Sequence, residues 1–328
     1  MARTNNTIDI RLISKVSSMY YNQNYNQREI AERLHLSRPK VSRLLKKARE
    51  KGIVQISVIT PNGNFMETES TLENEFGLKE ALIVDVNASD SKTIKRQIGT
   101  AAADYLHRTV SGGEVIGVTW GTTLQAMADA MLPKPINDIH VVQSLGGVGP
   151  PEAKAHATDI SRRLSQILES RLTLLPAPGI VHSTQAKEIL LSDRQVRGAL
   201  DRFEDIDILF VGIGAINTNP VLARNSQEIP DYLHKQIINS EAVGDIALHF
   251  FDIDGNEIDS DLKDLVIGIS IEELKQIDTV VGLAGGKDKE DVIRGALNGQ
   301  LIDVLITDNQ TAMHLADEKV GNENTESK

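Results

Sequence analysis

The sequence lacks several features that define common protein classes. It has no cysteine, which excludes disulfides and thiolate metal sites. Its eight histidines are scattered, with no pair at the i, i+4 spacing of a metal-binding helix, so we predict neither a metal nor a cofactor. No apolar run approaches the ~18 residues that a membrane helix needs, and the N-terminus does not resemble a secretory signal. We therefore expect a cytoplasmic protein with no membrane partner.

Charge is distributed very unevenly along the chain. Residues 1–60 contain 12 Lys/Arg against 4 Asp/Glu, a net charge of +8. The rest of the chain contains 23 against 42, a net charge of −19. Folding does not require such a division, whereas binding a polyanion at one end of an acidic protein does. At 328 residues the chain is also long for one domain, so two or three are expected.

Residues 26–51 have the pattern of two short helices joined by a sharp turn. Asn26 and Glu29 are spaced as a capping box, and Ser37 is placed to cap the second helix. This pattern predicts a helix-turn-helix, whose second helix can enter the major groove of DNA. The alternative is an ordinary helical hairpin with a solvated basic face. The residues predicted to contact DNA are Gln27, Ser37, Arg38, Lys40, Ser42, Arg43, Lys46 and Lys47. Of these, Lys46 and Lys47 are predicted to contact only the phosphate backbone of the DNA.

Further elements extend this unit and connect it to the rest of the chain. Residues 8–21 predict a third helix behind the pair, and residues 53–59 alternate apolar and polar as in a strand, which predicts a winged form. Residues 65–76 predict a connecting helix suited to pairing subunits. We therefore expect a DNA-binding domain at 1–60, a connecting segment at 61–79, an effector-binding and oligomerisation domain at 80–317, and a disordered tail at 318–328.

From about residue 80, short apolar strands alternate with amphipathic helices. This alternation predicts an α/β domain with a doubly wound, mostly parallel sheet. Strands are predicted at 81–86, 115–119, 140–144, 173–175, 206–211, 247–251, 279–283 and 304–307. Helices are predicted at 92–108, 123–131, 155–169, 186–201, 230–239, 290–298 and 311–316.

In an open α/β sheet, ligands bind at the carboxyl ends of the strands, so the loops there carry most of the chemistry. Residues 121–123 follow a strand and open a helix, as in a phosphate cradle or a plain N-cap turn. Residues 146–149 form either a ligand loop or a simple turn. Asp245 is either a hydroxyl-binding carboxylate or a surface turn residue, and a lysine within 285–289 either reaches a ligand anion or is solvated. Residues 212–215 resemble a dinucleotide loop only weakly, because the third glycine is missing.

Taken in order, these segments resemble the SorC family of sugar-binding transcriptional regulators over about residues 8–317. The resemblance implies a C-terminal domain related to sugar-phosphate isomerases that acts as a sensor, a phosphorylated sugar or sugar as effector, and a homo-oligomer, dimer or tetramer. The segments that carry it are REIAERLHLSRPKVSRLLKKAREKGIVQI, WGTT, SLGGVG, LPAPGIV, DILFVGIGAI, AVGDIALHFFDIDG, GLAGGKDK and VLITDNQTA.

The resemblance also implies a set of effector-binding residues. It places Thr122 and Thr123 on a phosphate or sugar oxygens, Asp245 on hydroxyls, and Lys289 after the double glycine of the second glycine-rich loop. Some members carry a lysine or arginine directly before the first double glycine, where this chain has Leu145, so we expect a ligand with at most one phosphate, or a free sugar or polyol. The full implied set is Gly121, Thr122, Thr123, Gly146, Gly147, His156, Arg224, Asp245 and Lys289.

Together these observations predict a transcriptional regulator that binds double-stranded operator DNA. We expect a repressor of a carbohydrate-use operon whose operator binding is controlled by a phosphorylated sugar. The competing class is an isomerase-like enzyme with a nucleic-acid-binding tether, in which Asp245 and Lys289 act as acid and base. An isomerase has no use for a basic helix-turn-helix, which favours the regulator. A constitutive architectural DNA binder would leave the large acidic α/β domain unexplained.

Overall fold

The protein is described by a computed structural model that covers residues 3–54, 65–88, 90–148, 157–223 and 229–323. The chain divides into two compact units, 1–64 and 65–328. The first unit has one apolar core and the second has two. Within the described ranges, no helix is long and apolar enough to cross a membrane.

The described residues of the first unit form three helices, whose apolar stripes meet in one core. Helix α1 (Arg3–Ser17) continues as a π-helical turn (Ser18–Asn22) and is followed by α2 (Gln27–Arg33) and α3 (Arg38–Glu50). The buried core residues include Ile13, Ile30 and Val41, one from each helix. The three predicted helices are therefore confirmed. Ile53 and Val54 pack against this core, but the rest of the predicted wing strand lies outside the described residues.

The ends of α2 and α3 are fixed by local hydrogen bonds. The Asn26 side chain accepts hydrogen bonds from the backbone N–H groups of Arg28 and Glu29, both at 3.0 Å, and Glu29 accepts one from the Asn26 N–H at 2.8 Å. The capping box is thus confirmed. Ser37 precedes α3 in an extended conformation, but its hydroxyl makes no capping bond. Between the helices His35 adopts a left-handed φ of 53°, which turns the chain sharply.

The second unit is built on a mostly parallel sheet. Its strands are β1 (Glu80–Val84), β2 (Val115–Val118), β3 (His140–Gln143), β4 (Arg171–Thr173), β5 (Ile208–Ala215), β6 (Gly244–Ile246), β7 (His249–Phe251), β8 (Thr279–Leu283) and β9 (Val304–Asp308). Seven strands run parallel in the order β1-β9-β8-β5-β2-β3-β4, while β6 pairs antiparallel with β5 and with β7. The predicted fold class is confirmed.

Helices cover both faces of this sheet. On one face α5, α6 and α7 enclose a core that contains Ile98, Leu124 and Ile160. On the other face, Leu72 of α4 and Ile293 of α12 belong to a second core. The helices are α4 (Met66–Phe76), α5 (Ser91–Thr109), α6 (Thr122–Ala130), α7 (Ala157–Leu168), α8 (Thr184–Ser192), α9 (Arg194–Leu200), α10 (Asp231–Ile238), α11 (Ile271–Leu274), α12 (Glu290–Asn298) and α13 (Asn309–Glu323).

Three elements differ from the sequence-based expectation. The predicted strand 247–251 is instead the end of a hairpin, because Ala247 and Leu248 both adopt left-handed φ angles (52° and 70°) and reverse the chain between β6 and β7. The predicted helix 186–201 is two helices, because Asp193 accepts hydrogen bonds from the N–H groups of Gln195 and Val196 and so starts α9. Residues 212–215 lie inside β5, so the dinucleotide-loop interpretation is wrong.

The ends of the second unit also differ from expectation. Helix α4, predicted as a connection, is part of the second unit and packs on β1. The tail predicted to be disordered from residue 318 is helical as far as Glu323, since no proline interrupts the chain there, and 324–328 lie outside the described residues. Strand β4 lies slightly earlier than the predicted 173–175.

Candidate effector pocket and DNA-binding helix

The second unit contains a cavity of about 390 Å³ at the carboxyl ends of β2, β5 and β8. After β2 the chain moves outward through β3 and β4, and after β5 it moves outward in the other direction through β8 and β9. Between β2 and β5 the order of strands therefore reverses. Such a reversal opens a crevice at the carboxyl edge of a sheet, which is where ligands bind in this fold class.

One wall of the cavity is the N-terminal end of α6. Gly121 precedes the helix with a φ of 131°, and Thr122 and Thr123 form its first turn. All three residues line the cavity. The first N–H groups of a helix have no partner within the helix, and together with the helix dipole they favour an anion. The wall can therefore hold a phosphate, and the turn also serves as the helix N-cap.

Asp245, on β6, also lines the cavity. Its side chain is 4% exposed, so the alternative of a surface turn residue is wrong. Oδ1 accepts a hydrogen bond from Nδ2 of Asn219 at 2.7 Å, and Oδ2 accepts one from the backbone N–H of Leu248 at 3.0 Å. Burial raises the pKa of Asp245 to about 6, although the Leu248 N–H and the positive charge of Lys289 act to lower it.

Lys289 also lines the cavity. It ends the short 3₁₀ turn Lys287–Lys289 that precedes α12, and its Nζ donates a hydrogen bond to the Ile213 carbonyl at 2.9 Å. Burial lowers the pKa of Lys289 to about 8; the charge of Asp245 acts to raise it, and that of Lys95 acts to lower it further. Lys95, from the first turns of α5, lines the same cavity.

Asp308 fixes the loop before Lys289 by a hydrogen bond to its backbone. The Gly286 N–H donates to Oδ2 of Asp308 at 2.7 Å and to the Thr311 hydroxyl at 2.9 Å. A Cβ on Gly285 would lie 2.4 Å from Oδ2 of Asp308, so this position requires glycine. Asp308 is itself buried, with 2% of its surface exposed to solvent. These bonds position the turn that carries Lys289.

Two of the other predicted effector residues are described by the structure, and neither of them lines the cavity. Gly146 and Gly147 do not line it, because their N–H groups donate to the carbonyls of Ile267 (3.0 Å) and Ala177 (2.9 Å) in the neighbouring loops. We therefore withdraw them as effector contacts. Leu145 is fully buried, in keeping with the absence of a cation there. His156 and Arg224 lie outside the described residues.

Three further polar residues line the cavity that sequence reasoning did not select: Lys95, Thr218 and Asn219. Lys95 lies in a helix without any recognisable motif, and Asn219 follows β5 in a loop. The one available signal was position, since Asn219 lies just beyond the carboxyl end of a buried strand. Within the described part of the chain, no group of acidic and histidine side chains is arranged to hold a metal ion.

The predicted DNA contacts lie mainly on the outer surface of α3. Ser37, Arg38, Lys40, Ser42, Arg43 and Lys46 are exposed, while Lys47 and Gln27 are partly buried. The opposite face of α3 is buried in the core through Val41, Leu44 and Leu45. Nε of Arg43 donates a hydrogen bond to the Pro39 carbonyl at 3.4 Å, and Nζ of Lys46 lies 3.9 Å from Oε1 of Glu50. The helix thus presents a basic face suited to phosphate and base contacts.

Comparisons with known proteins agree with both parts of the molecule. Residues 60–316 match the family described as "Putative sugar-binding domain", and residues 10–55 match "Winged helix-turn-helix DNA-binding". The chain is 32% identical over 312 residues to the deoxyribonucleoside regulator of Bacillus subtilis, an alignment that covers 94% of this chain and 98% of that protein.

Solved structures resemble the chain over most of its length. The full-length sorbitol operon regulator SorC from Klebsiella pneumoniae superposes with a TM-score of 0.72 at 27% identity, covering 94% of this chain and 99% of that one. A DeoR family transcriptional regulator from Listeria monocytogenes superposes with a TM-score of 0.69 at 26% identity, covering 76% of this chain and 98% of that one. The chain belongs to the SorC family of sugar-binding, DNA-binding transcriptional regulators.

Proposed function

We propose that the protein represses a carbohydrate-use operon and that a sugar carrying one phosphate controls its binding to operator DNA. The observation that supports this proposal is the chemistry of the pocket. The α6 N-terminus, Lys95 and Lys289 supply positive potential, whereas Asp245 supplies a buried hydrogen-bond acceptor. A phosphate suits the first group and a sugar hydroxyl suits the second.

DNA binding is assigned to α3 of the first unit. Ser37, Arg38, Lys40, Ser42 and Arg43 would contact base edges or adjacent phosphates, and Lys46 and Lys47 the backbone. Symmetric operators require half-sites about one helical turn, or a multiple of it, apart. We therefore propose a homo-oligomer, dimer or tetramer, in which the effector changes how the subunits hold their recognition helices.

We further propose that the pocket senses its ligand without transforming it. Lys289 already donates to the Ile213 carbonyl, and Asp245 already accepts bonds on both oxygens. Among the described lining residues, Lys95, Asp245 and Lys289 are the ones that titrate. A steady-state assay with ribose 5-phosphate and fructose 6-phosphate should show no isomerisation, and measurable turnover would favour the enzyme interpretation.

Release of promoter DNA tests the regulatory proposal. The full-length protein is titrated onto a fluorescent duplex from its own promoter region, and sugar phosphates and their unphosphorylated forms are then added. We expect one phosphorylated compound to change the dissociation constant by at least about fivefold, a usual allosteric coupling. A matched variant, Thr123→Val, should bind DNA normally but respond less. A promoter complex that ignores every phosphorylated sugar would reject the proposal.

A further inference from the structure

Asn219 occupies a position in the pocket that is fixed from two sides. It follows the 3₁₀ turn Ile216–Thr218, lines the cavity and is 5% exposed. Its Oδ1 accepts a hydrogen bond from the Val221 N–H at 2.8 Å, and its Nδ2 donates to Oδ1 of Asp245 at 2.7 Å. A reversed amide would set its NH₂ group against the Val221 N–H and its oxygen against the carboxylate. The orientation of the amide is therefore determined by its neighbours.

The pair retains hydrogen-bonding capacity beside the cavity. Each oxygen of Asp245 accepts one bond in the described structure, although a carboxylate oxygen can accept two. The second Nδ2 proton of Asn219 has no acceptor among the described residues. A buried N–H without an acceptor is costly, so a ligand oxygen at this point would be stabilising. A donor and an acceptor thus lie side by side in the lining of the pocket.

The backbone is shaped to make room for this pair. Gly214 lies opposite Asp245 in the β5–β6 ladder, and a Cβ there would lie 2.2 Å from Oδ1 of Asp245. The other groups that act on the carboxylate are the Leu248 N–H, Lys289 and His249. None of these three groups replaces the Asn219 N–H, because in the described structure Asn219 is the residue that donates a hydrogen bond to Oδ1 of Asp245, whereas Leu248 donates to Oδ2.

A hydroxyl is the group that matches this arrangement. It can donate its proton to Asp245 and accept the free proton of Asn219 at the same time. A methylene carbon can do neither. A phosphate dianion has no proton to donate, and it would face the Asp245 carboxylate at close range.

We propose that Asn219 forms a hydroxyl-recognition pair with Asp245, the carboxylate that the family resemblance already assigns to hydroxyls, and that Asn219 selects a hydroxyl-bearing carbon of the effector over a deoxy carbon or a second phosphate. This inference rests on the proposed function, since it concerns the same pocket. It also supplies a reason for a single phosphate in the ligand. The N-terminus of α6 suits the phosphate, and the hydroxyl pair suits a sugar hydroxyl.

The test variant is Asn219→Asp, which keeps the shape of the side chain and the acceptor for the Val221 N–H but replaces the donor with a carboxyl oxygen. The control is Asn217→Asp, which adds the same charge two residues away on an exposed side chain. Calorimetry on the full-length protein gives dissociation constants for inorganic phosphate, ribose 5-phosphate, fructose 6-phosphate and glucitol 6-phosphate. The ratio of sugar-phosphate to phosphate affinity cancels the effect of the added charge on the phosphate itself.

In the wild type we expect at least one sugar phosphate to bind more tightly than inorganic phosphate. Asn219→Asp should lower that ratio on the order of tenfold, whereas Asn217→Asp should leave it unchanged within about twofold. If Asn219→Asp fails to fold, judged from its circular dichroism and melting temperature, the smaller neutral variant Asn219→Ser is measured in its place with the same expectation.

Two results would overturn the inference. An equal loss of affinity for phosphate and for sugar phosphate would show that Asn219 merely supports the loop. A wild-type protein that binds no sugar phosphate more tightly than phosphate would show that no hydroxyl is recognised. Neither result depends on promoter release, so failure of the hydroxyl pair and failure of the proposed function are separate observations.

Discussion

At the scale of single residues, the pocket holds an acid and a base whose pKa values are shifted toward each other. Burial raises the pKa of Asp245 to about 6 and lowers that of Lys289 to about 8. Burial penalises the charged form of each group, while their mutual attraction recovers only part of the cost. The protein therefore keeps two polar groups in its interior at a loss of stability, which is usual where a ligand must be recognised.

The pH dependence of stability should reveal Asp245. Between its ordinary pKa of 3.8 and about 6, the native state binds more protons than the unfolded state, so stability falls as pH rises through this range. Asp245→Asn removes this loss. Whatever constant cost the amide introduces, we expect the difference in unfolding free energy to shift in favour of the variant by at most about 3 kcal/mol between pH 4 and pH 6.5.

Urea denaturation at a series of pH values measures this shift. Asp254→Asn, at an exposed turn, is the control and should show no comparable trend. A flat difference between Asp245→Asn and the wild type across this range would mean that the carboxyl group titrates normally.

Lys95 provides a second prediction at the residue scale. It lines the cavity and lies near enough to Lys289 to lower the pKa of that residue. Lys95→Gln should therefore weaken the binding of inorganic phosphate on the order of tenfold, because one charge-assisted bond is lost. Lys92→Gln, on an exposed position of the same helix, is the control. Calorimetry decides, and equal affinities in the two variants would remove Lys95 from the anion site.

At the scale of secondary-structure elements, the edge strand β1 is closed by side chains of α4. Oε1 of Glu73 accepts the Ala81 N–H and Oε1 of Glu69 accepts the Ile83 N–H, each at 3.0 Å. These N–H groups alternate along the strand with those that face β9. An edge strand with unpaired N–H groups invites pairing with another chain, so α4 protects this edge. Desolvation correspondingly raises the pKa of Glu69.

Loss of one of these bonds should be measurable. Glu73→Ala leaves the Ala81 N–H without a protein partner and should lower the unfolding free energy by about 1 kcal/mol. Glu75→Ala, on an exposed position of α4, should change it by less than about 0.5 kcal/mol. Urea denaturation followed by circular dichroism compares the two. If both variants behave alike, the carboxylate of Glu73 does not stabilise the strand edge.

At the scale of the whole molecule, the two units carry opposite charge. The first sixty residues have a net charge of +8 and the remainder −19. The positive charge lies next to the recognition helix, where it attracts the phosphate backbone, while the negative charge of the second unit disfavours non-specific contact with DNA. The molecule therefore concentrates its affinity for DNA in one small unit.

The salt dependence of DNA binding tests this distribution of charge. Lys46→Ala should weaken binding by a few-fold for the promoter and for a scrambled duplex alike, and should reduce the slope of log K against log salt by about 1. Lys275→Ala, an exposed lysine of the second unit, should alter neither. Fluorescence anisotropy at several sodium chloride concentrations gives both quantities. Relaxed preference at a single base pair would instead place Lys46 in the groove.

Much of this protein could be predicted from local sequence, because local forces determine it. The capping box at Asn26, the apolar stripe of α3 and the alternation of strands and helices each depend on neighbours within a few residues. The glycine and two threonines that begin α6 could likewise be identified from the local sequence. Lys289, after the double glycine, was predicted as an effector contact through the family resemblance, which rests on the same order of motifs.

Other features depend on contacts between residues far apart in sequence. Ala247 and Leu248 are held in a left-handed turn, in which the Asp245 carboxylate accepts a hydrogen bond from the Leu248 N–H. The mostly apolar segment 246–251 contains no glycine, proline or asparagine that would predict this reversal. Gly146 and Gly147 bond to loops rather than a ligand. Lys95 and Asn219 meet in one cavity because β5 and the helix after β1 converge at the same end of the sheet.

By itself, the sequence determined the class of this protein. Helical periodicity, helix caps and the uneven distribution of charge indicate a DNA-binding domain joined to an α/β effector-binding domain. Only the tertiary structure decided which polar side chains share the pocket and which are occupied elsewhere. The physical reason is that helix and strand patterns arise from neighbours along the chain, whereas burial, pKa and hydrogen-bond partners arise from groups that folding brings together.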